Sequence, residues 1–292
     1  MKLYTFRQNG EETLGVGYDD ACLYPLRAFG LEFSDMTDLI RRITPAQKAH
    51  LAHPENAAGQ PLPLARVKLC APIPHPAQDV LCLGINYHAH ADESARFNAK
   101  AFGGERPMPI YFSKRVSDAT GDGDPIPAYE GLVDSLDYEA ELAVIIGKDA
   151  WHVSAENAAE YVFGYTVLND VSARNLQTGH KQWHFGKSLD GFTPFGPCIL
   201  TADEVPYPPA LRISCTVNGE TRQDSNTRLL IHGIGDILAD LTQGMTLKAG
   251  TIIATGTPAG VGMGFDPPRF LKKGDRVTCT IEKIGSLTND VE

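Results

Sequence analysis

The chain lacks several things that would otherwise decide its class. Its six cysteines (Cys22, Cys70, Cys82, Cys198, Cys215, Cys279) are scattered through 292 residues with no close pair. That argues against a disulfide scaffold or a thiolate zinc site and for buried, reduced thiols in a cytoplasmic protein. It has no Lys/Arg-rich run and a net charge of −10, so neither nucleic acid nor an anionic membrane is an expected partner. No apolar run approaches the roughly 18 residues a membrane span needs. The opening Met1-Lys2-Leu3-Tyr4-Thr5-Phe6-Arg7 reaches a polar turn too soon for a signal peptide. There is no internal repeat and no low-complexity segment. A soluble globular protein remains.

What is present divides into two textures. Residues 1–60 read as a small α/β piece, with strands over 2–6, 13–18 and 21–25. Asp35 caps a helix over 36–43, and Thr44-Pro45 opens another. Pro61, Pro63, Pro72, Pro74 and Pro76 then mark a connection, so the expected division is a small N-terminal domain with linker over 1–70 and a larger second domain over 71–292. From Asp79 short apolar runs recur at 80–83, 110–112, 142–146, 164–168, 211–217, 251–255 and 276–281, separated by turns rich in Gly, Pro, Asp and Asn. Asn218-Gly219 is a hairpin turn. Two helices are expected, one starting at a Ser154 cap and one over 231–241 with Ile234, Ile237, Leu238 and Leu241 on one face. Strands and helices do not alternate, which disfavours a doubly wound sheet and favours a rolled, mixed α+β architecture.

The most informative run is Asp137-Tyr138-Glu139-Ala140-Glu141-Leu142, continued by Ala143-Val144-Ile145-Ile146-Gly147. Read as one buried strand, it puts Glu139 and Glu141 side by side with Asp137 on the same row. Negative charges so close in a poorly solvated cleft call for positive charge between them, and a divalent cation taking oxygen ligands is the economical answer. Asp137 reads equally well as an acceptor behind the ligands and is left out of the ligand set.

Four further segments join this strand. Gly84-Ile85-Asn86-Tyr87-His88-Ala89-His90-Ala91-Asp92-Glu93 places His90 and Glu93 three apart, adjacent on a helical turn. Asn169-Asp170 ends a strand and leads into Val171-Ser172-Ala173-Arg174-Asn175-Leu176-Gln177. Then come Gly186-Lys187-Ser188 and the glycine-rich turn Thr255-Gly256-Thr257-Pro258-Ala259-Gly260-Val261-Gly262. No Lys-Ser/Thr follows those glycines, so they are tight turns rather than a phosphate loop. His180 and His184 receive no role.

These elements, N-Y-x-x-H-x-x-E, D-Y-E-x-E-L-A, N-D-x-S-A-R, G-K-S and T-G-T-P-x-G-V-G, stand in the order in which they occur in the fumarylacetoacetate hydrolase family, and the chain resembles that family from about residue 80 to 291. Acylpyruvate hydrolases and 2-hydroxyhepta-2,4-diene-1,7-dioate isomerases are the members it looks like. The resemblance implies a mixed β-roll, a homodimer, and one Mg²⁺ or Mn²⁺ per subunit. It assigns Glu139, Glu141 and Asp170 as metal ligands, His90 with Glu93 as an acid–base dyad on a closing loop, and Lys187 as the cation beside the reacting oxygens. Arg174, Gln177 and Thr257 fall where the family lines its pocket, and Lys114 where many members hold a substrate carboxylate.

Elementary chemistry agrees with those roles. Three carboxylates on Mg²⁺ leave about three of its positions free, two of which suit the carboxylate and keto oxygen of a 2-oxo acid. A cation there stabilises an enolate, which serves C–C hydrolysis, decarboxylation and keto–enol isomerisation alike. Imidazole suits general-base work near neutrality, and a carboxylate on its other nitrogen fixes the tautomer. One departure stands out. Family members commonly read K-S-F-D-T-F where this chain has Lys187-Ser188-Leu189-Asp190-Gly191-Phe192, so Gly191 is expected to delete a hydroxyl within reach of the metal or the lysine.

The expected function is Mg-dependent cleavage of a C–C bond in a small 2-oxo or 2,4-dioxo acid, acylpyruvate-like. The alternative is an isomerase, tautomerase or decarboxylase of oxaloacetate or hydroxymuconate-type diacids. A non-catalytic binding module would show a damaged catalytic set, and this set is complete. The segment 94–109, hinged at Gly103-Gly104, is the expected lid and, with the N-terminal piece, the expected source of specificity.

Overall fold

The computed structural model describes residues 1–104 and 108–292; the stretch of the expected lid at 105–107 lies outside the described residues. Its centre is an 11-stranded sheet, and the segment that builds it best is Ala140–Ile146. Every residue there is buried, and the strand feeds two cores at once. Leu142, Val144 and Ile146 join one apolar cluster, while Ala143 and Ile145 join another on the opposite face. A strand covered on both faces reads in sequence as an unbroken apolar run rather than an alternation.

Ala140–Ile146 pairs antiparallel with Val162–Asn169 on one side and with Ile252–Ala254 on the other. Beyond Ile252–Ala254 lie Val80–Gly84, joined in parallel, and then Ile110–Lys114. Beyond Val162–Asn169 lies Phe195–Thr201, whose Leu200 and Ile199 pair with Lys2 and Leu3 of the first strand, Lys2–Gln8. Glu11–Gly17 and Cys22–Pro25 continue the sheet outward. The helices Met36–Arg42 and Pro45–Leu51 contribute Leu39, Ile40 and Leu51 to the second cluster. Both begin as the sequence indicates: the Asp35 side chain accepts from Asp38 N, and Thr44 and Gln47 cap each other's backbone.

A separate four-stranded antiparallel sheet packs on the first cluster, in the order Glu220–Asn226, Arg212–Val217, Arg276–Ile281, Gly285–Asp290. Asn218 and Gly219 turn its first hairpin at φ 51 and 81. Among the described residues the helices are few and short, so the fold is mixed α+β, as expected. Helix Ile234–Leu241 buries Ile234, Ile237, Leu238 and Leu241.

Two local expectations need correction. The segment after Ser154 is a 3₁₀ helix, Ala155–Tyr161, and the Ser154 side chain makes no cap bond. The acidic run is not one strand either. Leu136–Asp137 pairs with Ser172–Ala173, the ladder lapses at Tyr138–Glu139, and the long strand starts only at Ala140. Asp137 and Glu139 nonetheless meet the same guanidinium, that of Arg174.

Candidate active site

The site forms where the carboxyl ends of Val162–Asn169, Val80–Gly84 and Ile252–Ala254 meet the amino end of Ala140–Ile146. This convergence brings Glu139 and Glu141 to Asp170, the first residue past its strand. A carboxylate oxygen from each lies within 4.8 Å of the others, all three residues are buried, and among the described residues this is the one set so placed to hold an ion.

Basic side chains surround the acids. Lys187 Nζ donates to Glu139 Oε2 at 2.8 Å and to Asp170 Oδ2 at 2.7 Å. Arg174 Nε donates to Asp137 Oδ2 at 2.8 Å, its Nη1 donates to Gln177 Oε1 at 2.9 Å, and its Nη2 lies 2.6 Å from Glu139 Oε1 as a charge contact. Lys114, wholly buried, donates to Asp170 Oδ1 and to Val171 O. Asp137 accepts from Arg174 and from the backbone N–H groups of Gly262 and Met263, so it ties the arginine to the glycine-rich turn.

Four buried carboxylates (Asp137, Glu139, Glu141, Asp170) thus face three buried cations (Lys114, Arg174, Lys187). Glu141 is the acid left over. Its recorded donor is a backbone group, Gly256 N at 2.7 Å. Burial first, then Asp170 and Glu139, push its carboxyl well above the ordinary range. For Glu139 burial also works upward, but Lys187 and Arg174 outweigh it and hold that carboxyl well below its usual value. Burial opposes the charge on Lys187, yet Asp170 and Glu139 raise its pKa. Gly256 sits at φ +100 with the space of a Cβ filled by Asn86 Cβ at 2.6 Å, so only glycine presents this N–H to Glu141.

Above the acids stands the dyad. His90 and Glu93 lie on helix His88–Phe97, with His90 Nδ1 2.7 Å from Glu93 Oε1. Gly260 N donates to both Glu93 oxygens, at 3.0 and 3.2 Å. Ser94 Oγ lies 3.5 Å from the other imidazole nitrogen, Nε2. The cavity between dyad and acids has room for about one water. Leu83, Ile85, Phe102, Phe112, Trp183 and Met263 give it an apolar wall, with the Trp183 ring 5.6 Å from Phe102 and 5.5 Å from Phe112.

Of the residues singled out from sequence, His90, Glu139, Glu141, Arg174, Gln177, Lys187 and Thr257 line this cavity. Asp170 lies beneath it and Glu93 behind His90. Lys114 stands apart from the lining, its ammonium spent on Asp170 and Val171. Gly191 is also elsewhere. It has φ +80, and a Cβ there would meet Pro127 Cδ at 2.4 Å, so the backbone at this position favours glycine. Buried amides that received no role from sequence include Asn86, which bonds His232 and Thr255, and Gln223 from the second sheet. Asn86 sits in a motif. Gln223 lies in the polar run Glu220-Thr221-Arg222-Gln223-Asp224-Ser225-Asn226, where nothing marks it as buried.

Comparison with known proteins meets this geometry. Residues 79–292 match the family model described as the fumarylacetoacetate (FAA) hydrolase C-terminal domain. The chain belongs to the fumarylacetoacetate hydrolase family. It is similar to the oxaloacetate tautomerase YisK of Bacillus subtilis, 46% identical over 78% of this chain and 74% of that protein. The fumarylacetoacetate hydrolase of Exiguobacterium antarcticum superposes with a TM-score of 0.83 at 37% identity, covering 100% of this chain and 99% of that one. The maleylpyruvate hydrolase of Sphingobium sp. SYK-6, solved with manganese(II) and pyruvate, superposes with a TM-score of 0.79 at 34% identity over 100% and 98%. All five sequence elements fall within the matched residues. Members of the fumarylacetoacetate hydrolase family are enzymes acting on small molecules, hydrolases and isomerases among them, and a buried acidic triad capable of holding a divalent metal fits that setting. Among the described residues no helix is long and apolar enough to cross a membrane.

Proposed function

We propose that this protein is a divalent-metal enzyme that interconverts the keto and enol forms of a small 2-oxo diacid, with oxaloacetate as its substrate. The observation that carries the reading is the charge count beneath the cavity. Three cations balance three of the four acids, and the surplus carboxylate, Glu141, faces the two others of the triad. A dication held by Glu139, Glu141 and Asp170, which we take as Mg²⁺ or Mn²⁺, turns one surplus negative charge into one positive and so suits the carboxylate head of a 2-oxo acid. When bound it would polarise the keto oxygen and acidify the neighbouring carbon.

The chain's own residues do the rest. Glu93, fixed by Gly260, accepts the Nδ1 proton of His90 and leaves Nε2 as the nitrogen that exchanges protons. Nε2 takes the proton from the carbon beside the ketone and returns it to the oxygen, and the reverse path regenerates the ketone. Lys187 adds positive charge at the cavity floor, and Arg174, Gln177 and Thr257 line the substrate's surroundings. Phe102 and Trp183 leave little space above, which favours a short substrate; they must part for it to enter. The 46% identity to an oxaloacetate tautomerase supports the choice of substrate. We take the protein as a cytoplasmic homodimer.

A second reading, C–C hydrolysis of an acylpyruvate-like acid, rests on the same His90–Glu93 pair, which is also what activation of a water needs. Two assays separate them: decay of enol-oxaloacetate, and pyruvate release from acylpyruvates, each with Mn²⁺ or EDTA. The tautomerase reading predicts Mn²⁺-dependent enol decay that falls about 10²–10⁴-fold in His90→Ala. Acylpyruvate cleavage with no effect on enol decay would replace it by the hydrolase. Indifference of both to EDTA would remove the metal from either.

A further inference from the structure

Glu139 and Glu141 can share one ion only if the backbone between them keeps a fixed pitch, and that backbone lies where the strand ladder is incomplete. Each polar group of the Glu139–Ala140 pair is nonetheless held. Glu139 N donates to the Asn169 side-chain oxygen at 3.0 Å, and Glu139 O accepts from Asp170 N at 2.9 Å. Ala140 N donates to Gln223 Oε1 at 3.0 Å, and Ala140 O accepts from Thr257 Oγ1 at 2.9 Å. The Gln223 amide then uses its Nε2 on Thr257 Oγ1 at 2.7 Å and on Pro258 O at 2.8 Å. One fully buried side chain therefore joins the residue between two acids to the turn whose Gly256 N holds Glu141.

From this geometry we infer that Gln223 is a positioning residue for the metal centre. It reaches in from the second sheet, and with Thr257 it sets the separation and orientation of the Glu139 and Glu141 carboxylates. Thr257 acts here through its hydroxyl, which gives its proton to Ala140 O and accepts from Gln223, so it holds the strand as well as lining the cavity. No other side chain of the Glu220–Asn226 strand has this place: Gln223 is its one buried residue. The second sheet thereby gains a direct part in the site. The inference rests on the metal reading of the triad.

The test is Mn²⁺ binding to the whole protein without substrate, read by the free-ion EPR signal, with the line shape of the bound ion recorded as well. Gln223→Leu removes all three bonds. It should weaken Mn²⁺ about 10–100-fold, the usual effect of losing a group that orients a ligand, and broaden the bound-ion spectrum. Gln223→Glu keeps an acceptor for Ala140 N while losing the donor to Thr257 and Pro258, so it should fall between wild type and Gln223→Leu. It also serves if the leucine variant fails to fold. Thr257→Val combined with Gln223→Leu should lose less than the two single losses together, because both hold the same peptide. Wild-type affinity and line shape in a folded Gln223→Leu or Gln223→Glu variant would overturn the inference. Absence of Mn²⁺ binding by the wild type would overturn the metal reading instead.

Discussion

Among the acids beneath the cavity, Glu141 has a backbone N–H where Asp137, Glu139 and Asp170 have lysine or arginine. The unfolded chain ionises this side chain near the ordinary value of about 4.3, whereas the fold holds its proton to higher pH. The folded state thus binds the extra proton above that value, and the metal-free protein loses stability as pH rises from there until the folded group ionises. Glu141→Gln removes that loss. In EDTA at pH 8 the variant should melt above wild type, and Mn²⁺ should raise the melting temperature of wild type alone. A variant melting below wild type would contradict this balance. Lys114 makes the opposite case. The family resemblance gives it a substrate carboxylate; its buried ammonium bonds Asp170 and Val171, and we propose that this charge is structural. Lys114→Met takes from buried Asp170 one of its two lysines, Lys187 still holding the other oxygen, and should cost about 1–3 kcal/mol in chemical denaturation. A change confined to KM would return Lys114 to the substrate.

At the scale of elements, most of the site was legible because its motifs stand at strand ends, where apolar runs stop and polar residues begin. The adjacency of His90 and Glu93 was legible from helical spacing, their pairing as a dyad from the family motif, and the helix His88–Phe97 brings them into contact. What could not be read was the lapse of the ladder at Tyr138–Glu139: a strand interrupted for two residues has the same sequence texture as a continuous one. Ser154 looked like a cap, but the turn after it is 3₁₀ and uses no side chain. Gly191 shows what a departure from a familiar motif leaves unsaid: the backbone conformation at that position. At φ +80 against Pro127, Gly191→Thr should lower stability by about 1–3 kcal/mol, read by denaturant unfolding, and leave Mn²⁺ affinity unchanged. Tighter Mn²⁺ binding in that variant would restore the hydroxyl to the site.

At the scale of the molecule, the α+β class followed from strands that did not alternate with helices, and the buried central strand from its unbroken apolar run. The route of the sheet was hidden. Nothing local in Lys2-Leu3 announces that it pairs with Leu200 and Ile199 across the whole chain, because register between distant strands is fixed by packing. Gln223 was hidden likewise, since its burial depends on a second sheet closing over a polar strand. Both sheets and four strand ends converge on one cluster of acids, and the account of function stands on what that cluster holds. Its most direct test is anomalous diffraction from crystals soaked with Mn²⁺ and oxalate, a mimic of the 2-oxo acid head. The account predicts one strong peak bounded by Glu139, Glu141 and Asp170, with oxalate on it and Lys187 displaced from its bridge between Glu139 and Asp170. No peak there, with Lys187 still joining the two acids, would contradict it.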